Sequence, residues 1–272
     1  MLISLNKAIF YCEILKCKKL LLRKNNSAYI RNIINDKKYG LIIEEINSSI
    51  IINNENLLSN YYNPYYDFLG IKPNNRLYVF KNEILRNLPF IQTKENDLYI
   101  HIRSGDIFLK SNKGNFYSQP PLCFYKTIIN NNKFNKIIII SENKLNPIVD
   151  KLIKKYPYII YKPGNIKLDI AKLIYAFNIV SSISSFLMGI IKLNDNLRNI
   201  WEYDIYKIRL KIYHLHHSLY KYRRKYTIFL MNPSKQYMEK MYLWQANRKQ
   251  INIMLRDKCP KIFRIIKPNY ER

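Results

Sequence analysis

Apolar and polar residues alternate strictly from residue 98 to residue 103, which predicts a β-strand. Leucine or isoleucine occupies positions 98, 100 and 102, and tyrosine, His101 and Arg103 occupy the positions between them. Gly105 and Asp106 follow, and a glycine allows the backbone to turn sharply or to approach a ligand closely. The pattern therefore predicts that Arg103 lies at the carboxyl edge of a sheet, where open α/β sheets bind their ligands.

After this strand, helical and extended patterns alternate regularly. Such alternation is typical of right-handed βαβ units and of a doubly wound parallel sheet, so the fold class is predicted to be α/β. The predicted helices cover residues 121–130, 147–155, 167–177 and 185–193, and the predicted strands cover 136–141, 158–162, 178–182 and 200–203.

The flanking regions are less regular, and they suggest three domains. Residues 1–95 begin with a helical pattern that runs into a strand, and we interpret them as a smaller α/β domain. Residues 96–206 carry the regular alternation. Residues 207–272 are basic and rich in tyrosine, and we expect a helical tail that packs back on the body. No internal repeat is present.

The arginine loop has two interpretations. The guanidinium of Arg103 is forked and permanently charged, which suits a diphosphate. Alternatively, Arg103 and Asp106 form an ion pair that is only structural. His101 either lines a site or is a buried strand histidine. Asp106 fits a role in orienting Arg103 better than a role as a base, because a neighbouring guanidinium lowers the proton affinity of a carboxylate.

The segment from His101 to Asp106 reads H-x-R-x-G-D, and it resembles the arginine motif of the fucosyltransferase superfamily. Asp169 with the following I-A-K-L, and the S-S-I-S-S-F run that ends at Phe186, resemble the nucleotide-holding segments of the same superfamily. The resemblance covers about residues 95 to 205. It implies a GT-B-like protein with two Rossmann-like halves, of which the N-terminal half is incomplete because a Gly-rich G-N-R or G-N-Q turn is missing.

The resemblance also implies an activity: inverting, metal-independent transfer of fucose from GDP-fucose to a hydroxyl of a glycan or a protein. Arg103 would stabilise the leaving diphosphate, with Asp106 beside it, and Asp169 would accept hydrogen bonds from the guanine edge. The remaining residues implied at the nucleotide are His101, Gly105, Ser182, Ser184, Ser185 and Phe186.

Several parts of this site stay open. The serine run could instead provide ordinary helix caps. No D-x-D pair is present to hold a cation at the diphosphate, and no cofactor is expected besides the donor. The general base cannot be assigned, since Glu44, Glu45 and Glu83 have no motif around them. Without the Gly-rich turn, the chain could also be an inactive remnant that only binds a nucleotide sugar.

The net charge of +27 adds an alternative function. A basic surface attracts nucleic acid without reading its sequence, and residues 207–225 interleave lysine and arginine with tyrosine. No recognised nucleic-acid motif accompanies them, so we interpret the charge as the result of an AT-rich coding bias toward lysine and keep nucleic-acid binding as the alternative. Three histidines in this stretch lack the partners that a zinc site needs. They are His214, His216 and His217.

The four cysteines lack metal-type spacing, so they are interpreted as disulfides or buried thiols. They are Cys12, Cys17, Cys123 and Cys259. No apolar stretch is long enough to span a bilayer, and no secretory signal is recognised. The resemblance implies the Golgi or ER lumen if a longer form carries an N-terminal anchor, and otherwise the cytoplasm.

Overall fold

The computed structural model describes residues 19–23, 42–46, 85, 88–109, 118–191, 193–204, 226–241, 243–260 and 263–267. The chain divides into two compact units, Met1–Phe90 and Ile91–Arg272. In the first unit, β1 (Lys19–Arg23) and β2 (Ile42–Ile46) pair in parallel.

The second unit is built on a seven-stranded sheet in the order β5-β4-β3-β6-β7-β8-β9. All pairs are parallel except β8 with β9, which is antiparallel. The predicted α/β class with a parallel sheet is therefore confirmed for this unit. The strands are β3 (Asp97–His101), β4 (Lys136–Ile140), β5 (Ile160–Tyr161), β6 (Asn178–Val180), β7 (Asn199–Tyr203), β8 (Thr227–Met231) and β9 (Arg264–Ile266).

The helices of the second unit form two groups by their contacts. The first, second and sixth helices contact one another, the fifth contacts the sixth, and the third contacts the fourth. In chain order, the described helices are α1 (Leu122–Asn131), α2 (Pro147–Lys155), α3 (Ile166–Tyr175), α4 (Ser185–Ile191), α5 (Lys235–Met241) and α6 (Arg248–Arg256).

The alternation on β3 sets the two faces of the sheet. Leu98 and Ile100 are fully buried in a core that includes residues of α1, α2, α5 and α6. His101, which points the opposite way by the period of two, lies against Phe186 of α4. Strand β3 is thus covered on both faces, as expected for a central strand of a parallel sheet.

The prediction of a helical tail is incomplete. The region after residue 206 contains α5 and α6, but it also contributes β8 and β9 to the main sheet. This region packs on the rest of the unit: the Tyr237 hydroxyl of α5 donates to the carbonyl of Gln119 at 2.7 Å, and Nε1 of Trp244, between α5 and α6, donates to the carbonyl of Ile107 at 2.8 Å. The tail is therefore part of the same core.

A disulfide joins Cys123 on α1 to Cys259, three residues after the end of α6. Cys12 and Cys17 lie outside the described residues. Among the helices that the structure describes, none has the length and hydrophobicity of a membrane span.

Candidate functional site

The order of the strands defines a switch point between β3 and β6. From β3 the chain adds β4 and then β5 on one side, and it then crosses to the other side of β3 to add β6, β7 and β8. Loops that follow two neighbouring strands on either side of such a point diverge, and the crevice between them is where doubly wound sheets bind ligands. Arg103 follows β3, and Ser182 follows β6.

Ser182 connects the two loops at this point. Its Oγ lies 2.9 Å from Nδ1 of His101 and accepts a hydrogen bond from the backbone N–H of Arg103 at 3.0 Å. Because the hydroxyl accepts from that N–H, its own proton is available for Nδ1, and we assign the His101 proton to Nε2. The Ser182 hydroxyl thus links the ends of β3 and β6, two strands that also pair in the sheet.

His101 is held in its neutral form. Burial, and to a smaller extent the charge of Arg103, lower the pKa of His101 from 6.5 to about 3. Its ring centroid lies 5.7 Å from that of Phe186. Nε2 of a neutral imidazole donates one hydrogen bond, but a group with this pKa is a poor base near neutral pH.

The backbone of Arg103 is fixed on both sides. Ser182 accepts from its N–H, and Nδ2 of Asn146 donates to its carbonyl at 3.0 Å. The side chain is 23% exposed and pairs with Asp106, with Nη2 3.2 Å from Oδ1. This ion pair is compatible with both interpretations of the arginine loop, an orienting role for Asp106 and a purely structural pair. At 50% exposure Asp106 is well hydrated, so this pair contributes little to stability.

A network of polar side chains joins the loop after β3 to the loop after β4. Oδ1 of Asn143 accepts from the Ser104 hydroxyl at 2.6 Å and from the Gly105 N–H at 3.2 Å. Asn146 caps α2 through its Oδ1, and its own N–H donates to Ser104 Oγ at 2.8 Å. Two asparagines from one loop therefore determine the shape of the arginine loop.

Gly105 is required by its conformation. Its φ is +69°, in the left-handed region that favours glycine. It opens a short 3₁₀ helix, Gly105–Phe108. A Cβ at this position would lie 2.6 Å from the carboxyl carbon of Glu142. The exposed Glu142 therefore extends from the end of β4 over the arginine loop.

Asp169 lies away from β3, in the first turn of α3 after the edge strand β5. Its Oδ1 is 3.4 Å from Nζ of Lys172. Burial raises the pKa of Asp169, and Lys172 opposes that rise. Neighbouring strands are about 4.8 Å apart, so β5 lies roughly 10 Å from β3 along the edge. A ligand that contacts both Arg103 and Asp169 has to extend across β4.

The other predicted serines lie on the far side of the switch point. Ser184 is buried in the loop between β6 and α4, and Ser185 is the first residue of α4. The side chain of Ser185 lies outside the described residues. The structure brings Ser182 into contact with the arginine loop, and Phe186 into contact with His101.

Three residues beside Arg103 at the carboxyl edge of the sheet were not predicted from the sequence: Glu142, Asn143 and Asn146. A signal for Asn146 was available, because asparagine followed by proline marks the start of a helix. No local signal connects Asn143 to Gly105, or Asn146 to Arg103, about 40 residues earlier in each case.

Other predicted features lie elsewhere. Glu44 and Glu45 belong to β2, and Glu83 and the basic stretch 207–225 with its three histidines lie outside the described residues. Within the part of the chain that is described, one group of possible metal ligands is present, formed by Cys123, Asp257 and Cys259. It lies by α1 and α6.

Comparisons of this chain with protein-family models, with curated proteins and with solved structures found no match. The class of the protein therefore rests on its structure. The second unit is an α/β unit with a mostly parallel sheet, and Arg103 lies at the carboxyl edge of this sheet beside the switch point.

Proposed function

We propose that this protein is a fucosyltransferase-like glycosyltransferase that takes GDP-fucose as donor and a glycan or protein hydroxyl as acceptor. In this proposal it has a GT-B-like arrangement, and the unit Ile91–Arg272 is its nucleotide-binding half. The observation that carries the proposal is the position of Arg103, at the carboxyl end of β3 beside the switch point, with both of its backbone polar groups bound.

A fixed backbone matters for a group that stabilises charge in a transition state. As the bond from fucose C1 to the diphosphate oxygen breaks, its electron pair goes to the diphosphate. A guanidinium that is already in place lowers the energy of this transition state without having to reorganise. Arg103 is held by Ser182 and Asn146, while its side chain stays partly exposed to a ligand. The Asp106 carboxylate would keep the guanidinium oriented until the donor binds.

The residues on both sides of Arg103 at this edge would bind the diphosphate and the guanine of the donor. The diphosphate would lie near Arg103 and near Ser184 and Ser185 at the start of α4, which the resemblance to the fucosyltransferase superfamily implies at the nucleotide. The guanine would extend across β4 toward Asp169, which accepts hydrogen bonds when ionised. His101, neutral and with Nε2–H as a donor, would contact the donor and would not act as the base.

Inversion requires the acceptor oxygen to attack C1 from the side opposite the diphosphate and to lose its proton. Asp106 lies on the loop after β3, and Glu142 lies on the loop after β4. Asp106 already forms an ion pair with Arg103. Glu142, exposed above Gly105, is our candidate for the group that takes this proton. The proposed reaction requires no metal ion.

The test is turnover of GDP-fucose by the whole chain, measured as GDP release with glycan and protein acceptors. We expect activity that persists in EDTA and falls about 100-fold or more in Arg103→Ala, as when one transition-state donor is removed. Arg198→Ala is the matched control, because this arginine pairs with Glu95 near the amino end of the strands. Equal activity of Arg103→Ala and the unmodified chain would contradict the proposal, and GDP binding without turnover would indicate the inactive remnant.

A further inference from the structure

A second group of reactive side chains lies where α1 meets the segment after α6. Cys123 is the second residue of α1, and Asp257 and Cys259 follow α6. The two sulfurs and a carboxylate oxygen of Asp257 all lie within 4.8 Å of one another. The cysteines are 136 residues apart, so no sequence spacing predicts this group.

One oxygen of the Asp257 carboxylate lacks a hydrogen-bond donor among the described residues in the disulfide form. Oδ2 of Asp257 is buried and accepts no hydrogen bond from the residues that the structure describes. The disulfide sulfurs of its neighbours carry no hydrogen to donate. A backbone hydrogen bond from Lys258 and the charge of Lys240 partly satisfy this carboxylate, and a cation beside Oδ2 would satisfy its remaining oxygen.

Two buried phenols belong to the core cluster against which Cys259 packs. The hydroxyls of Tyr125, on α1, and of Tyr203, at the end of β7, are buried and have no hydrogen-bond partner among the described residues. The charge of Asp257 contributes to raising the pKa of Tyr203, which places this phenol in its neighbourhood. Buried polar groups without a partner among the described residues thus occur in the core cluster against which Cys259 packs.

The position of Cys123 also favours an anionic sulfur. It lies in the first turn of the ten-residue α1, and a helix N-terminus stabilises a thiolate. Two thiolates and one carboxylate are a suitable ligand set for zinc, because soft sulfur ligands select zinc over magnesium or calcium. Tetrahedral zinc holds such ligand atoms about 3.3 to 3.8 Å apart, which small side-chain rotations would achieve here.

We propose that Cys123, Asp257 and Cys259 bind a zinc ion when the disulfide is reduced, with water as the fourth ligand. A dithiol or phosphine supplies the two electrons that break the sulfur–sulfur bond, and it is itself oxidised to a disulfide or a phosphine oxide. Two protons convert the sulfurs to thiols, and zinc then displaces both protons. Either state ties α1 to the segment after α6, the disulfide under oxidising conditions and zinc under reducing ones.

The test uses the whole chain with Cys12→Ser and Cys17→Ser, so that only this pair of thiols remains. The protein is reduced with a phosphine under argon, given zinc, freed of excess metal and assayed with a colorimetric chelator. We expect a single bound zinc ion in the reduced chain and none in the oxidised chain. Cobalt in place of zinc should give the sulfur-to-metal charge-transfer absorption of a thiolate site.

Asp257→Asn should weaken zinc binding by roughly tenfold or more. Substituting even a residue that only supports a metal ligand lowers metal affinity about 10- to 100-fold. Asp150→Asn, at an exposed carboxylate paired with Lys144, should leave it unchanged. Zinc should also protect both thiols from alkylation, a readout that requires no substitution at Cys123, Asp257 or Cys259. A folded, reduced chain that binds no zinc, thiols that zinc does not protect, or equal binding by Asp257→Asn would overturn the proposal. None of these outcomes depends on the proposed transferase activity.

Discussion

The hydroxyl of Ser182 lies 2.9 Å from Nδ1 of His101, and this contact joins the ends of β3 and β6 across the switch point of the sheet. The same hydroxyl binds the N–H of Arg103. One small side chain therefore fixes both the orientation of a buried imidazole and the start of the arginine loop.

Ser182→Ala should remove both contacts at once. It leaves the Arg103 N–H and Nδ1 of His101 without this partner, and an unsatisfied buried polar group costs about 1 to 3 kcal/mol. Ser181→Ala, in the same loop, loses only a hydrogen bond to the adjacent Ser182 carbonyl. Chemical denaturation should therefore show a larger loss of unfolding free energy for Ser182→Ala. Equal losses would mean that the contact across the switch point contributes nothing.

The buried His101 should make the protein sensitive to acid. Its pKa is about 3 in the folded chain and 6.5 in the unfolded chain, so the unfolded state binds the proton more readily. The stabilisation from the neutral imidazole is complete above pH 6.5. It falls by up to about 1.4 kcal/mol per pH unit as the pH decreases from 6.5 toward 3.

The variant His101→Asn isolates this effect, because asparagine cannot titrate and still offers an acceptor to Ser182. The difference in unfolding free energy between the two chains should depend on pH only between about 3 and 6.5. Contributions of other groups, including the raised pKa of Asp169, cancel in this difference. Parallel stability curves over this pH range would show that His101 is hydrated and titrates normally.

Asn146→Ala should cost more than the loss of a helix cap. A cap contributes about 0.5 to 2 kcal/mol, and Asn146 also binds the carbonyl of Arg103. Asn165 and Asn247 cap α3 and α6 by accepting from the N–H three residues on, where Asn146 accepts from the N–H two residues on, and they serve as controls for the loss of a side-chain cap. Calorimetry should show a loss for Asn146→Ala that exceeds both controls by about 1 kcal/mol. If all three losses agree, the link to the arginine loop is energetically neutral.

Gly105→Ala should destabilise the chain through its backbone. A non-glycine residue at positive φ costs roughly 1 to 3 kcal/mol. The close approach to Glu142 adds little, because the end of an exposed side chain can move aside. Thermal unfolding of Gly105→Ala with and without Glu142→Ala should therefore give nearly the same loss. Full recovery in the double variant would show that the contact, and not φ, requires the glycine.

The local part of the fold could be predicted from the sequence. Helix α2 begins and ends where it was predicted, because Asn146 and Pro147 mark its start and Lys154 and Lys155 its last turn. Strand β4 and helix α1 agree with their predictions to within one residue at each end. These signals act over a few residues, so a single sequence contains them.

The non-local part could not be predicted in the same way. The short run at β8 was included in a tail interpreted as helical, because only its pairing with β7 makes it part of the sheet. The hydrogen bonds of Asn143 and Asn146 to the arginine loop join residues about 40 positions apart. Contacts of this kind depend on strand order, which no periodicity reveals.

The most direct test of the central claim is the affinity of the purified chain for GDP, measured by titration calorimetry with UDP as the comparison nucleotide. We expect GDP to bind better than UDP, and Arg103→Ala to weaken GDP binding about 10- to 100-fold, as expected when charge-assisted hydrogen bonds are lost. Arg198→Ala should bind GDP as the unmodified chain does. Absence of GDP binding by the unmodified chain, or equal affinities of the Arg103→Ala and Arg198→Ala variants, would contradict a nucleotide site at the switch point.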